Sequence, residues 1–401
     1  MKVAIYHNLP SGGGKRALSE FARLLAARHE LDCYSLSTSE EDLCDFRDSC
    51  RRSVAYDFRP LPLATRPLGR LNQGIRALDL LRLYALQKRV AADVDKGGYD
   101  AVLVNPCQFS TSPQLLKYLR TPSVYYCQEP PRLVCEPQPY RPYGRLSGFQ
   151  RVINLIDPLP ALYRRVLRES DRANLLSATL VLVNSRYSHE SVYRTYGVFA
   201  HVSPLGVDSR RFRPTLGQRE NYVVSVGALA PNKGFDWIIR SLAEIDPVRR
   251  PKLVLVSNFT NDLEHSYLAS LGHELGVTVE FRNRVSDEEL VELYGRALAT
   301  AYAPIMEPFG FVPLESMACG TPVVGVNEAG VRESVTHAET GLLVDRDVHA
   351  LAGAIERLIA DPALREELGR KGRQHVVENW GWDRSAAILE SFLDQAARVR
   401  P

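Results

Sequence analysis

Residues 299–326 read ATAYAPIMEPFGFVPLESMACGTPVVGV, and this stretch predicts a strand, a loop, a helix and a second strand. The short apolar runs at 299–303 and 323–326 are typical of buried strands. Between them, Pro313 suits the first turn of a helix, where no amide hydrogen is needed, and Gly320 is typical of a helix end. This order of elements predicts parallel strands joined by a right-handed crossover.

The same alternation of strands and helices extends through both halves of the chain. In the first half we predict strands at 2–7, 99–105, 123–127 and 179–184 and helices at 72–92, 112–119 and 159–177. In the second half we predict strands at 221–227, 252–256 and 277–281 and helices at 235–243, 262–274, 286–297, 348–359 and 362–378. The chain of 401 residues is therefore predicted to be an α/β protein of two domains, 1–208 and 209–382, with a last helix within 383–401 that returns to the first domain.

The loop before the helix of the quoted stretch holds the residues that suggest chemistry. The amides of Phe309, Gly310 and Phe311 are predicted at a helix N-terminus and at the carboxyl end of a parallel strand, where α/β sheets bind diphosphates. Gly310 lets a phosphate approach the backbone closely. We expect Glu315, in the first helical turn, to accept hydrogen bonds from ribose hydroxyls, and Glu307 to accept them from a transferred sugar.

Glu307 and Glu315, followed by SMACGTPVV at 316–324, closely resemble the family 4 retaining glycosyltransferases of the GT-B fold. The resemblance covers nearly the whole chain and includes PLGVD at 204–208, GVRE at 330–333 and WGW at 380–382. It implies two facing Rossmann-like domains with parallel sheets and a C-terminal helix that crosses back to the N-terminal domain. It also implies that the first domain binds the acceptor and the second binds the nucleotide sugar.

The resemblance carries roles onto individual residues of this chain. It implies that Lys233 contacts the donor diphosphate and that Glu307 holds the sugar, which makes these two residues the catalytic candidates. It places Gln128 and Glu129 on the acceptor and sugar side. The donor-binding positions that it implies are Gly13, Gly14, Lys15, Gly227, Lys233, Arg284, Val285, Glu307, Phe309, Gly310, Phe311, Val312 and Glu315.

Three places in the sequence depart from the family pattern. Ala228 stands where the family usually has an arginine, so one of two expected phosphate cations is missing. Gln128 and Glu129 stand where many members have histidine and aspartate, and residues 257–258 are Ser-Asn where many members have glycines.

A glycine-rich turn in the first domain offers a replacement cation. Gly12, Gly13 and Gly14 follow the first strand, and Lys15 and Arg16 come next. We expect the turn to face the donor phosphates, so that Lys15 or Arg16 replaces the missing arginine. The alternative is that both are exposed residues in the first turn of a helix. The turn also fits the dinucleotide pattern G-x-G-x-x-A.

The donor site is expected to work without a metal or other cofactor. The sequence has no acidic cluster with the oxygen ligands that Mg²⁺ prefers, and the family that the chain resembles needs no metal. The co-substrate is then a nucleotide-diphosphate sugar, transferred with retention of anomeric configuration. The implied partners are this donor and a glycan or glycolipid acceptor.

The net charge of +3 is distributed unevenly along the chain. Residues 1–200 hold 28 Lys and Arg against 19 Asp and Glu, a balance of +9, whereas residues 201–401 hold 22 against 28, a balance of −6. A basic half attracts phosphates or an anionic membrane, and no nucleic-acid-binding signature accompanies it. We expect peripheral contact with an anionic membrane and no nucleic-acid partner, the alternative being an ordinary solvated surface.

Hydropathy predicts no membrane-spanning helix, so we expect a cytoplasmic protein that contacts the inner face of the cell membrane. The helix predicted at 72–92 carries leucines almost all round, which favours packing within the domain over lying on a membrane. The aromatic and arginine-rich stretch 130–151 is either part of an acceptor site or a structural loop.

Other functions stay open from the sequence. A sugar-nucleotide epimerase or a glycan phosphorylase of the same fold would keep the donor site but change the reaction. A two-domain solute-binding protein would bind without catalysis. A nicotinamide-dependent oxidoreductase would rest on the G-x-G-x-x-A match alone.

Overall fold

The structure is a computed structural model that describes residues 1–40, 44–65, 72–130, 139–144, 157–258 and 261–399. Within these ranges the chain forms two compact units. The first unit contains residues 1–130, 157–204 and those from Ser385 onward, and the second contains residues 139–144 and 205–384. Residues 139–144 correct the sequence-based division, which placed them in the first domain.

Strands and helices alternate along the first unit. They are β1 (Lys2–Asn8), α1 (Gly13–Ala26), β2 (Glu30–Leu36), β3 (Arg52–Tyr56), α2 (Asn72–Asp95), β4 (Ala101–Cys107), β5 (Ser123–Tyr126), α3 (Leu159–Leu175), β6 (Leu180–Val183), α4 (Arg186–Tyr196) and β7 (His201–Val202).

In the described part of the first unit, these seven strands form one parallel sheet in the order β3-β2-β1-β4-β5-β6-β7. Val3, Ala4, Ile5 and Tyr6 of β1 are fully buried, as expected for a parallel sheet that is covered on both faces. The strand order reverses between β1 and β4. Such a reversal leaves a crevice at the carboxyl ends of the two strands, where α/β proteins bind ligands.

The second unit repeats this architecture. Its elements are β8 (Tyr222–Val226), α5 (Phe235–Ala243), β9 (Lys252–Ser257), α6 (Asp262–Glu274), β10 (Val279–Asn283), α7 (Asp287–Arg296), β11 (Ala299–Tyr302), α8 (Phe311–Ala318), β12 (Val323–Val326), α9 (Val331–Ser334), β13 (Gly341–Val344), α10 (Val348–Ala360), α11 (Pro362–Asn379) and α12 (Trp382–Arg398), whose residues from Ser385 onward belong to the first unit.

The described strands of the second unit form a six-stranded parallel sheet in the order β10-β9-β8-β11-β12-β13. The order reverses between β8 and β11. The loops that follow these two strands, at residues 227–234 and 303–310, therefore leave the sheet side by side.

Most predicted elements are confirmed to within a few residues at each end. The predicted helix at 112–119 is wrong, because Gln114–Lys117 form only a short 3-10 helix. There the amides of Gln114 and Leu115 donate to the side chain of Gln87, so a residue from α2 satisfies them. The sequence analysis did not predict β2, β3, β7, β13, α4 or α9. Part of the reason is that polar residues interrupt the apolar runs by which buried strands are recognised. In β2, for example, Asp32 pairs with Arg51 at 2.9 Å.

The last helix is held to the first unit by a carboxylate. Glu390 of α12 accepts a hydrogen bond from Arg28 at 2.8 Å, and its other oxygen lies 2.8 Å from Nε2 of His29. Arg28 and His29 lie between α1 and β2. These contacts add to the packing of α12, in which Leu389 and Leu393 are fully buried.

Helix α2 is less buried than its leucines suggested. Leu83 and Val90 pack within the unit, as expected, but the side chains of Leu78 and Leu81 are 55% and 64% exposed, so the helix packs on one side only. Among the described helices, none combines the length and the apolarity needed to cross a bilayer.

Asp171 is a fully buried acid in the core of the first unit. The amide of Ser112 donates to one carboxylate oxygen at 3.2 Å, and the hydroxyl of Tyr196 lies 3.4 Å from the other. Burial raises the pKa of Asp171 to about 8, because the charged form loses its hydration. The folded protein therefore holds a proton here that the unfolded chain releases near pH 4.

The raised pKa of Asp171 predicts that the folded state loses stability as the pH rises. Between about pH 4 and 8 the folded state binds more protons than the unfolded state, so the free energy of unfolding falls by up to about 1.4 kcal/mol per pH unit. Asp171→Asn removes the titration and keeps an acceptor for Ser112. The melting temperatures of wild type and variant should be similar near pH 5 and should diverge by several degrees at pH 8, with the wild type lower. Parallel melting curves across this range would contradict the assignment.

Candidate functional site

An ion pair lies where the strand order of the second unit reverses. Lys233 follows β8 and Glu307 follows β11, and the Lys233 ammonium lies 2.8 Å from Oε2 of Glu307. The two side chains are 21% and 15% exposed. The pair is thus partly shielded from water but still exposes atoms at the carboxyl edge of the sheet, and the catalytic roles that the sequence analysis assigns to both residues stay predictions.

Gly234 brings the two loops together. It adopts a left-handed conformation with φ of +68°, and a Cβ there would overlap the carbonyl oxygen of Ala303 in the other loop. Beside it, the amide of Ile305 donates to the carbonyl of Asn232 at 2.8 Å. Only glycine permits both the positive φ and this close approach, so Gly234 sets the separation of Lys233 and Glu307.

The backbone of Glu307 is fixed by the loop that follows β12. The amide of Gly330 donates to the carbonyl of Glu307 at 2.9 Å, and a Cβ at Gly330 would overlap the carbonyl oxygen of Pro308. This contact gives a physical reason for the glycine in the sequence GVRE.

The predicted helix N-terminus is present at Gly310. This residue has φ of +83° and precedes Phe311, the first residue of α8. Phe309 packs against Phe311 and against Trp380, with ring centroids 5.3 and 5.7 Å apart respectively, and Phe311 packs against Trp382. The WGW sequence thus supports the loop whose amides are predicted to bind the diphosphate.

Glu315 lies deeper than predicted. Because α8 begins at Phe311, Glu315 is the fifth residue of the helix and not part of its first turn, and it is only 3% exposed. The hydroxyl of Tyr294 donates to Oε2 of Glu315 at 3.1 Å. Burial and the adjacent carboxylate raise the pKa of Tyr294 well above its ordinary value, so the hydroxyl keeps the proton that it donates. A role for Glu315 at a ribose stays a prediction.

The remaining predicted donor positions of the second unit lie at the same edge of its sheet. Gly227 follows β8, and a Cβ there would lie 3.4 Å from the Lys233 side chain. Val312 is in the first turn of α8. Arg284 and Val285 follow β10, two strands away from β8. The exposed Arg284 has φ of +53°, and its amide donates to the carbonyl of Ser257 at 3.0 Å.

Arg346 supports the site, and the sequence analysis missed it. Its guanidinium donates to the carbonyls of Ala303 at 3.1 Å and Pro304 at 2.7 Å, and it also forms two hydrogen bonds with the carboxylate of Glu328. Arg346 therefore holds the start of the loop that carries Glu307. An arginine just after a strand would have pointed to Arg346 in the sequence, but the strand before it, β13, was not predicted.

In the first unit, a cavity of about 270 Å³ lies at the strand reversal between β1 and β4. Gln128 and Glu129, the predicted acceptor-side residues, line it together with Gly14 and Lys15. A Cβ at Gly14 would overlap the side chain of Gln128. The structure thus brings the glycine-rich segment and the acceptor-side pair into one cavity, here called the first-unit cavity.

The glycine-rich segment is part of a helix and not a free turn. Helix α1 begins at Gly13, so Gly13, Gly14, Lys15 and Arg16 form its first turn. Lys15 is fully buried, and its ammonium lies 5.2 Å from the ring centroid of Phe46. This burial contradicts the alternative that Lys15 is an exposed surface residue. Its proposed role toward phosphates stays a prediction.

The second unit matches a known protein family. Residues 207–375 match the family described as glycosyl transferases group 1. A D-inositol 3-phosphate glycosyltransferase from Acidothermus cellulolyticus is 35% identical over an alignment of 266 positions that covers 60% of this chain and 58% of the relative. A GDP-mannose-dependent alpha-(1-6)-phosphatidylinositol monomannoside mannosyltransferase from Mycobacterium tuberculosis is 31% identical over an alignment of 294 positions that covers 64% of this chain and 73% of that protein.

Solved structures share the fold. A sucrose-phosphate synthase from Thermosynechococcus elongatus superposes with a TM-score of 0.74 at 22% identity, covering 98% of each chain. HepE from Anabaena, in complex with UDP and glucose, superposes with a TM-score of 0.71 at 19% identity, covering 98% of this chain and 99% of the other.

The contact at Gly234 predicts a site-specific destabilisation. Gly234→Ala forces a side chain into a left-handed conformation and against the Ala303 carbonyl, so it should cost at least about 1–3 kcal/mol. Gly353→Ala is the matched control, because Gly353 is exposed within α10 and a Cβ there meets nothing within 4 Å. The control should gain about 0.5–1 kcal/mol. Equal effects in thermal unfolding would contradict this account of the loop contact.

Proposed function

The chain belongs to the group 1 glycosyl transferases, and we propose that it transfers a hexosyl group from a nucleoside-diphosphate sugar to a glycan or glycolipid acceptor. The transfer proceeds with retention of anomeric configuration and needs no metal ion. The second unit binds the donor and the first unit binds the acceptor.

The observation that carries this proposal is the contact between Lys233 and Glu307. In a nucleoside-diphosphate sugar, the sugar is joined directly to the terminal phosphate. A cation for that phosphate and a carboxylate for the sugar hydroxyls must therefore be neighbours, as Lys233 and Glu307 are at 2.8 Å. When the donor binds, the phosphate replaces Glu307 as the partner of Lys233, which leaves the carboxylate for the sugar.

The leaving diphosphate is stabilised without a divalent cation. Negative charge develops on it as the glycosidic bond breaks, and preorganised cations and amides stabilise such charge. Lys233 supplies one cation, and the N-terminus of α8 after Gly310 supplies N–H groups. In the part of the chain that the structure describes, no three His, Cys, Asp or Glu side chains gather to hold a metal.

The first-unit cavity is the proposed acceptor site. Gln128 presents an amide and Glu129 a carboxylate, and both groups form hydrogen bonds with sugar or polyol hydroxyls. The two relatives described above are named for inositol phosphate and phosphatidylinositol mannoside acceptors. We extend the proposal to a phosphorylated or lipid-linked polyol as the acceptor of this chain.

A lipid-linked acceptor fits the exposed surface of α2. In its described residues 72–95 the most exposed charged side chains are basic, whereas the acids Asp79, Asp93 and Asp95 are partly buried and Asp79 pairs with Arg82. Leu78 and Leu81 are exposed on the same helix as four exposed basic residues, which are Arg76, Arg82, Lys88 and Arg89. Exposed apolar side chains among cations are typical of surfaces that lie on anionic membranes.

Helix α3 continues this surface. It adjoins α2 through a 2.9 Å hydrogen bond between the hydroxyls of Tyr84 and Ser170. Leu162 and Val166 are each 57% exposed. Among the described side chains of α3, the exposed charges are Arg164, Arg165, Arg168, Arg172 and one acid, Glu169. We propose that α2 and α3 together contact an anionic membrane at the inner face of the cell membrane.

Epimerase chemistry at the same donor site can be distinguished from transfer by whether the reaction needs an acceptor. A transferase consumes donor only when an acceptor hydroxyl is present. Incubation of UDP- and GDP-sugars with and without inositol phosphates or phosphatidylinositol should therefore show acceptor-dependent release of nucleoside diphosphate. Isomerised sugar nucleotide in the absence of acceptor would instead identify an epimerase.

The two glutamates should affect different kinetic steps. Glu307→Ala removes a contact expected to matter most in the transition state, so it should lower kcat at least about tenfold, or about 1.4 kcal/mol. Glu315→Gln should mainly weaken binding of the nucleoside diphosphate. Glu339→Ala, an exposed acid of the same unit, is the control and should match the wild type. Unchanged kinetics in both site variants would exclude this donor site.

The same assays, run in excess EDTA, test whether the transfer needs a metal ion. Rates should be equal with and without chelator. Loss of activity that Mg²⁺ or Mn²⁺ restores would contradict metal-independent transfer.

The surface of α2 and α3 should bind anionic vesicles in a salt-dependent way. Each basic side chain near an anionic surface contributes about 1 kcal/mol, so the triple variant Arg164→Gln, Arg165→Gln, Arg168→Gln should reduce sedimentation with phosphatidylglycerol vesicles at least tenfold. The charge-matched control, Arg240→Gln, Arg249→Gln, Arg370→Gln, changes exposed arginines of the second unit and should not. Equal losses, or equal binding to phosphatidylcholine vesicles, would contradict the proposed surface.

A further inference from the structure

Residues 139–144 are the described part of a segment that lies between β5 and α3 in sequence yet belongs to the second unit. Its central feature is Arg141, whose side chain is only 7% exposed. Arginine is rarely buried unless it is paired. The partners of Arg141 therefore show why this segment is attached to the second unit.

Two carboxylates from different helices hold the guanidinium. Nε of Arg141 donates to both oxygens of Glu264 at 3.2 and 3.1 Å, and Nη2 donates to the same carboxylate at 3.0 Å. Nη1 and Nη2 donate to the two oxygens of Asp236 at 3.1 and 2.9 Å. Glu264, in the first turn of α6, is fully buried. Asp236 is in the first turn of α5.

The guanidinium also reaches the turn that carries Lys233. Nη2 donates to the carbonyl oxygen of Pro231 at 3.1 Å. Pro231 and Asp236 lie on either side of Lys233 and Gly234 in sequence. The Arg141 guanidinium thus binds both ends of the short stretch that carries Lys233. It does so through Pro231 and Asp236 and not through the Lys233 side chain.

Two aromatic rings pack against the cluster. The Tyr143 hydroxyl donates to Glu264, and burial together with this carboxylate raises the pKa of Tyr143 to about 12, so the hydroxyl stays protonated. The Tyr143 ring packs edge-on against Tyr267, and the Arg141 guanidinium lies 5.2 Å from the ring centroid of Tyr267. Low exposure strengthens each charged hydrogen bond.

We propose that Arg141 is a positioning residue for donor binding, which fixes the stretch from Pro231 to Asp236 so that the Lys233 ammonium is held in place for the diphosphate. This inference rests on the proposed function, because it needs Lys233 to bind the donor. Its physical basis is preorganisation: a cation that is already fixed loses less conformational freedom when the ligand binds. A lysine could not replace Arg141, because one ammonium cannot reproduce the planar fork.

A double-mutant cycle separates this role from a purely structural one. The probe is UDP or GDP, whichever the wild type binds, measured by isothermal titration calorimetry. Arg141→Ala should weaken binding at least tenfold in the wild-type background. In the Lys233→Ala background the same change should weaken binding less than threefold, because the residue through which Arg141 acts is gone. Equal factors in the two backgrounds, or no effect in the wild type, would overturn the proposal.

Conservative variants and a control complete the test. Arg141→Lys should bind the nucleotide less tightly than the wild type, because it keeps the charge but loses the fork. Arg240→Ala removes an exposed arginine from the same helix as Asp236 and should leave affinity unchanged. If Arg141→Ala does not fold, as judged by circular dichroism, Asp236→Asn takes its place in the cycle. Asp236→Asn should show the same non-additivity with Lys233→Ala.

The outcomes distinguish this inference from the proposed function. Nucleotide binding by the wild type that is lost in Lys233→Ala, together with an additive effect of Arg141→Ala, would leave the donor site in place and remove the positioning role. A wild type that binds neither UDP nor GDP would overturn the donor site and, with it, this inference.

Discussion

The close approach of Gly234 to the carbonyl oxygen of Ala303 is the contact on which the proposed donor site depends. It brings together the loops that leave β8 and β11, neighbouring strands in the sheet of the second unit. Each loop contributes one member of the ion pair between Lys233 and Glu307. A larger residue at position 234 would separate the loops, and the two charges would then no longer share one ligand.

The rest of the second unit maintains this contact from several directions. Arg346 holds the Ala303 and Pro304 carbonyls, and Gly330 packs on the backbone next to Glu307. Arg141 holds the other loop through Pro231. These contacts are made to backbone groups near Lys233 and Glu307 and not to those two side chains, which we propose to contact the donor.

The two units use the same architecture for different chemistry. Each has a parallel sheet whose strand order reverses once, between β1 and β4 in the first unit and between β8 and β11 in the second. The reversal of the second unit holds a cation, a carboxylate and a helix N-terminus, which suit a phosphorylated sugar. That of the first unit holds a cavity lined by Gln128 and Glu129, which suits hydroxyl groups. The excess of basic residues in the first half lies partly on α2 and α3, where it is exposed.

The sequence by itself determined the fold class, the two-domain plan and the strand, loop and helix around Glu307 and Glu315, because the periodicity of strands and helices and the spacing of turn residues are local properties. Only the tertiary structure decided which side chains meet. Lys233 and Glu307 are 74 residues apart, and Arg141 and Glu264 are 123 apart. The depth of Glu315 depends on where α8 begins. The burial of Lys15 depends on Phe46, a residue from another loop. Such contacts follow from how the chain packs, which no short stretch of sequence specifies.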